Sequence, residues 1–336
     1  MSDKFQLVTL PRWRHGGDRR SLESDIAAWI DSAPLRVLAE MSGWEWPATR
    51  SPLELAGALA ALSDDWDFRV KRNPQSQERN YLADGGATVR GRTLDREQVE
   101  VAAQALGLVD SVPVASHKVD HLVVLSGLVK ACVNRTRYAA ALMREGLEVG
   151  TVSVLAGHRH LTDPEREDVI ELGYEDIDDE ALVAVAATME AFQLGAPASS
   201  RTAPSEDHSA PAEWNFRSGA ARHTWPGVEI LVVPSSEPAT RRVNTPDQLR
   251  YWAEHAAVGP EDEVLLVNTQ IYVPFQHMDA IRILGLARQC GVTTIGVDPR
   301  TASIPLRTFG AESYLQEIRS ALRSAVLLLQ SLQGTP

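Results

Sequence analysis

With 336 residues, 44% of them hydrophobic and 23% charged, the chain holds enough apolar side chains for one large domain or two of ordinary size. A formal charge of −12 argues against nucleic acid or an anionic membrane as the general partner, because both are bound through a positive field. No stretch reaches the ~18 consecutive apolar residues of a spanning helix, and the arginine-bearing start (Arg12, Arg14, Arg19, Arg20) has no signal-peptide core. The expected location is therefore cytoplasmic, with no membrane and no nucleic acid as partner.

Residues 1 to about 115 read as a mainly helical N-terminal region. Leu22, Ile26, Trp29 and Ile30 recur at helical spacing between Ser21 and Ala33. Ser51-Pro52-Leu53-Glu54 is a capping box with proline at the first helical position, followed by Leu55, Leu59 and Leu62 on one face. A third helix runs from Asp95 through Val99, Ala103 and Leu106 to Gly107, which suits a C-terminal cap. Between these last two, Trp66 to Arg69 and Glu78 to Tyr81 read as a solvated loop, with a reach into the functional site as the alternative.

From Asp120 the pattern changes to short apolar runs alternating with helical segments, the mark of a parallel sheet built from βαβ units. The expected fold is α/β: a Rossmann-like parallel sheet flanked by helices over 119–300, with a long C-terminal helix over 311–333. Strands are expected at 122–125, 152–155, 229–233, 264–267 and 293–297, all without period-two alternation, as when both faces are covered. Helices are expected near 138–144, 180–193, 246–255 and 275–288. Residues 196–227 interrupt this rhythm as an inserted linker and flap: a Pro/Ala/Ser-rich stretch, then Trp214, Phe216 and Trp225. In the last helix, Leu315, Ile318, Leu322, Val326, Leu329 and Leu332 form an apolar stripe that either packs on the body of the protein or makes a homodimer contact.

Ligands of open parallel sheets bind at the carboxyl ends of the strands, so the residues just after each strand are the candidates. They are Ser126, Gly127 and Arg135 after the first strand; Gly157, His158 and Arg159 after the second; Glu237, Arg242, Asn244 and Thr245 after the third; and Thr269, Tyr272, Gln276 and His277 after the fourth. The arginines and histidines among them favour a small anionic molecule, with Arg135 and Arg242 gripping it from two loops. His158 and His277 are the acid/base candidates, since imidazole titrates near working pH. Capping alone accounts for Thr245 in Thr245-Pro246-Asp247-Gln248; Asn244 is less easily explained.

No metal is expected. The His158-Arg159-His160 pair would need a converging third ligand, and Cys132 and Cys290 stand outside any CxxC spacing and read as small buried residues. The chain has no GxGxxG after the first strand, no GxxxxGK[ST] and no GxSxG, which disfavours a conventional NAD site, a P-loop ATPase and an α/β-hydrolase.

Three patches then carry a resemblance. The run Val119-Asp120-His121-Leu122-Val123-Val124-Leu125-Ser126-Gly127 followed by Arg135 to Gly146, the group Glu237, Asn244, Thr245 and Asp247, and the segment 264–269 with Tyr272, His277 and Ala280 resemble the YdcF/SanA/ElyC-like family. The resemblance implies a Rossmann-like fold with its site at the strand ends, and S-adenosylmethionine as a candidate cofactor. Two functions are in play. One is an enzyme acting on a small anionic or nucleotide-like substrate, with a tailoring step in bacterial specialised metabolism as a subtype. The other is a non-catalytic metabolite-binding or regulatory module, with the C-terminal helix carrying the interaction.

Overall fold

The protein is described from a computed structural model, which covers residues 5–49, 51–68, 87–174, 176–202, 220–233, 243–300 and 302–334. Helix α1 (Arg19–Ile30) starts where the Asp18 carboxylate accepts from the Ser21 N–H at 2.9 Å, and it buries Leu22, Ile26, Trp29 and Ile30. The helix expected over 21–33 stops short of its predicted end and α2 (Ala33–Met41) follows. Pro34 in the first turn of α2 has no N–H to give to a preceding turn, so one continuous helix cannot run through it. Helix α3 (Pro52–Leu62) begins at the predicted Ser51 cap and buries Leu55 and Leu59.

A 3-10 turn, Ser63–Trp66, follows. Trp66, expected in a solvated loop, is fully buried: it stacks on Trp44 and donates its indole N–H to Ser42 Oγ at 2.9 Å. Arg69 and the 78–81 segment lie outside the described residues. A two-stranded hairpin, β1 (Thr88–Val89) and β2 (Arg92–Thr93), leads to α4 (Arg96–Ala105), capped by Asp95 and closed by Gly107 at φ +87°.

The α/β alternation then proceeds through β3 (Lys118–Leu125), α5 (Val129–Arg144), β4 (Glu148–Gly157), α6 (Asp163–Glu171) and α7 (Glu180–Ala191). It continues with β5 (Ser199–Thr202), β6 (Ala221–Trp225), β7 (Val228–Val233), α8 (Thr245–His255), β8 (Glu263–Thr269) and a 3-10 turn, Gln270–Tyr272. Helix α9 (Val273–Ala280) runs into a π-helical turn, Ile281–Gly285, and the short α10 (Leu286–Arg288); β9 (Gly291–Val297) and α11 (Ala311–Gln333) complete the chain.

These elements form two units. A helical unit draws on Met1–Val112, Gln270–Ala287 and Arg307–Pro336, and a sheet unit on Pro113–Thr269 and Arg288–Leu306. In the helical unit α11 is the central element, packed by α1, α3, α4 and α9. Of its stripe, Leu315, Ile318, Leu322 and Leu329 are buried there, whereas Val326 and Leu332 are half-buried and the neighbouring Leu327 is exposed. Gly285 in the π-helical turn lies so close to Trp13 that a Cβ would meet the indole Cδ1 at 2.5 Å.

The sheet unit holds a seven-stranded sheet in the order β5-β6-β7-β4-β3-β8-β9. The strands β7, β4, β3, β8 and β9 are parallel, and β6 and β5 extend the β7 edge antiparallel. Helices α5 and α7 pack on each other and over the sheet, and α8 packs on β4 and β7. Every residue of β7 is buried, as expected of a strand covered on both faces. The predicted linker and flap are therefore partly sheet. Ser199–Thr202 pairs with Ala221–Trp225, and Trp225 is buried at that edge with its indole N–H on the Gly195 carbonyl at 2.9 Å. Trp214 and Phe216 lie outside the described residues.

Candidate functional site

Numbering the parallel strands in chain order gives 3-2-1-4-5 across the sheet, so the direction of winding reverses between β3 and β8. The loops leaving such a pair diverge and open a crevice at their carboxyl ends. After β3, Ser126 keeps the ladder going by donating its N–H to Leu155 O at 2.9 Å, and Gly127 and Leu128 turn the chain into α5. Leu128 occupies the cap position and its side chain cannot accept a hydrogen bond, and no acid stands in the first turn. The first N–H groups of a 16-residue helix thus face the carboxyl edge with no side-chain cap.

Arg135 lies six residues past the start of α5, just under two turns in, and is buried. Its Nη1 donates to the carbonyls of Leu125 at 2.9 Å and Ser126 at 2.8 Å, and its Nε to Thr269 Oγ1 at 3.1 Å. One guanidinium therefore ties the end of β3 to the end of β8. The group packs under the turn: a Cβ on Gly127 would come within 3.4 Å of Nη1. Expected as a ligand arm, Arg135 is a tie between loops whose charge lies beneath the Gly127 backbone.

The second strand supplies a network. Ser126 Oγ donates to Glu180 Oε1 at 2.6 Å, and Glu180 Oε2 accepts from Arg159 Nε at 2.8 Å. The rest of the Arg159 fork grips Glu165 through both oxygens, at 2.6 and 2.5 Å. Glu165 also accepts from the N–H and hydroxyl of Thr162, which closes the capping box of α6. Burial alone would push the Arg159 guanidinium down, but the Glu180 and Glu165 carboxylates override it and hold it above its ordinary value. For Glu165 burial alone would raise the carboxyl; the Arg159 hydrogen bonds override it and hold it below the ordinary value.

Beside this network His158 Nδ1 lies 3.3 Å from both oxygens of Asp179. Asp179 is buried and is itself fixed, because its Oδ1 caps α7 by accepting from the Ala181 N–H at 2.8 Å. Glu180 donates its own N–H to the Arg159 carbonyl at 2.9 Å, which sets the start of α7 against the loop after β4. Ser126, His158 and Arg159 are thus brought together, and the partners that organise them are Asp179, Glu180 and Glu165. Those three were missed in the sequence because an acid at the start of a helix reads as a cap, which Asp179 and Glu165 also are.

The remaining candidates are distributed differently. Asn244 is the N-cap of α8, accepting from the Asp247 N–H at 3.0 Å while Asp247 accepts from its N–H at 3.1 Å. The capping box therefore begins one residue before the predicted Thr245, and structure explains Asn244. Gly157 ends β4 beside the start of α8, where a Cβ would make only ordinary contact with Gln248 Nε2 and Val243 Cβ, at 3.7 Å. Glu237 and Arg242 lie outside the described residues.

Thr269 ends β8 in the sheet unit, whereas Tyr272, Gln276 and His277 belong to the helical unit. There Tyr272 meets Phe275 and Phe309 edge to face. The His277 ring is buried, bonds through Nε2 to the Pro11 carbonyl at 2.7 Å, and is pushed down to about 4 by burial. A ring so enclosed serves the packing of the helical unit. Burial pushes the Cys132 thiol up to about 12 and Cys290 up to about 11. Among the described residues no group of three or more His, Cys, Asp or Glu side chains is arranged to hold a metal ion.

A model of the Rv3785 N-terminal domain matches residues 14–107. Over 331 residues the chain is 28% identical to uncharacterized protein Rv3785 of Mycobacterium tuberculosis (strain ATCC 25618 / H37Rv), covering 94% of this chain and 91% of the relative. Uncharacterized protein Mb3814 of Mycobacterium bovis (strain ATCC BAA-935 / AF2122/97) is similar to the same extent. No solved structure matches.

These findings overturn the YdcF/SanA/ElyC-like resemblance, since the similarity along nearly the whole chain runs to Rv3785 proteins. The residues that suggested it have local explanations: Asn244 and Asp247 cap a helix, and Arg135 ties two strand ends. The case for S-adenosylmethionine rested on that resemblance and falls with it.

Proposed function

We propose that the sheet unit is an enzyme that holds a small anionic or nucleotide-like substrate at the carboxyl ends of β3, β4 and β8, with His158 as its acid/base. The observation that carries the reading is the His158–Asp179 pair. A carboxylate on Nδ1 fixes the tautomer with the proton there, leaves Nε2 as the basic nitrogen, and stabilises the imidazolium once a proton is taken. Among the described residues nothing occupies Nε2.

Around it, Ser126 spends its hydroxyl proton on Glu180 and so presents lone pairs to donors on the substrate. The uncapped start of α5, with the Arg135 charge under Gly127, supplies donors and a positive potential for an anionic group. A cytoplasmic location fits this reading, as does the finding that no helix among the described residues is long and apolar enough to cross a membrane. The binding-module reading is weakened because most of the apolar face of α11, which would carry its interaction, is packed inside the helical unit.

Native mass spectrometry of the purified protein, followed by calorimetry and turnover assays with any co-purifying ligand, tests the proposal. His158→Ala is expected to bind that ligand within a few-fold of the parent and to lose roughly 10²- to 10⁴-fold in turnover. A ligand that the parent binds and never converts would sink the enzyme reading.

A further inference from the structure

On α11, Glu312 and Gln316 stand four residues apart and therefore share a face, with Cβ atoms about 5–6 Å from each other. Both are buried, Gln316 to 0% exposure and Glu312 to 6%. Among the described residues neither side-chain atom of the Gln316 amide has a hydrogen-bond partner, nor does Glu312 Oε1. An amide donor and a carboxylate acceptor one turn apart can satisfy each other directly, and here they do not. Gln270, in the 3-10 turn that packs on α11, repeats the theme: its Nε2 donates to the Gly107 carbonyl at 2.8 Å while its buried Oε1 is unpartnered.

Buried polar groups in native proteins are almost always paired, and leaving them open is costly. The open atoms define what would pair them. Gln316 Nε2 asks for an acceptor, and Gln316 Oε1 and Glu312 Oε1 each ask for a donor. A primary carboxamide carries this set on one small plane. Its oxygen accepts from Gln316 Nε2, one N–H closes a two-bond ring on Gln316 Oε1, and the second N–H reaches Glu312 Oε1. A carboxylate has no donors and would face the Glu312 charge. An ammonium has no acceptor for Gln316 Nε2 and would lie against the positive end of α11, in whose first turn Glu312 stands. We propose that the helical unit binds a small primary carboxamide between Glu312 and Gln316 of α11. This does not depend on the enzyme reading of the sheet unit.

The test uses the full chain and three small probes of similar size, acetamide, acetate and ethylammonium, titrated at constant ionic strength and followed by ligand-observed NMR and thermal unfolding. Acetamide is expected to bind saturably at about millimolar concentration, the scale set by so few atoms, and to raise the unfolding temperature; the other two should do neither. Gln316→Leu, which keeps the shape and removes both amide atoms, should weaken acetamide at least about tenfold, as should Glu312→Leu. Should either variant fail to fold, the comparison of probes on the parent still decides. The proposal is overturned if the parent shows no saturable acetamide binding, if ethylammonium or acetate binds as well, or if Gln316→Leu retains the parent's affinity. No acetamide response together with a more heat-stable Gln316→Leu would mean that the face holds only water or nothing.

Discussion

Asp179 caps α7 and holds His158 with the same carboxylate, and the two duties separate under substitution. Asparagine caps a helix about as well as aspartate, within about 1 kcal/mol, but cannot stabilise an imidazolium. Asp179→Asn is therefore expected to unfold at nearly the parental urea concentration and to lose roughly 10²-fold or more in turnover. Arg135 makes the opposite prediction. Its removal strands the Leu125 and Ser126 carbonyls at the end of β3 and the Thr269 hydroxyl at the end of β8, so Arg135→Ala should lower stability by about 2–4 kcal/mol in urea titration, and an unchanged midpoint would refute the tie. His277 has a pH signature. Its folded pKa, about 4, lies below the ordinary 6.5, so the unfolded chain takes up a proton that the fold refuses. The contribution is fully present above about 6.5 and declines as pH falls from there towards 4, by about 3 kcal/mol in all. His277→Gln, which can still donate to Pro11, should flatten that part of the stability–pH curve. At this scale His158 was legible because it follows a strand, while its partner lay hidden in an acidic run that capping rules explain without function.

Strand interiors could be read directly from their apolar runs, but their lengths could not. β3 extends back to Lys118 and β4 to Glu148, because ladder bonding accepts polar residues that hydropathy leaves out. The same blindness hid β5: Ser199 to Thr202 carries no apolar signal and is a strand only because β6 lies beside it. Helix starts fared better, since caps are local chemistry, although Asn244 displaced the predicted Thr245 by one residue. Asn244→Ala is expected to cost about 1 kcal/mol, read as a lower thermal midpoint with ligand affinity unchanged. Gly285→Ala should cost about 1–3 kcal/mol, because Trp13 must move to admit the methyl group. A neutral outcome would mean that the π-helical turn yields freely.

The two units could not be seen in the sequence, because one of them is discontinuous. Helices α9 and α11 are separated from α1 to α4 by the sheet unit's strands, and nothing in their amphipathic patterns says which earlier helices they meet. The match to the Rv3785 N-terminal domain, over 14–107, covers only the first of the segments that build the helical unit. Native-state hydrogen exchange should show the slowest amides of α1, α3, α4 and α11 opening with one common free energy. If α11 opened independently, the unit would not be a cooperative body.

Because α11 is both the last helix and the hub of the first ones, the order of synthesis conflicts with the order of packing. At ribosomal speeds, α1 to α4 leave the exit tunnel roughly 10–40 s before α11 is made. During that interval Leu22, Ile26, Trp29, Leu55 and Leu59 have no hub to close on, and the whole sheet is translated in between. Ribosome-bound chains that stop short of Ala311 are therefore expected to recruit chaperones that hold apolar segments at α1 and α3, and a synonymous codon change that slows translation between 113 and 310 is expected to lengthen that exposure without altering a single residue.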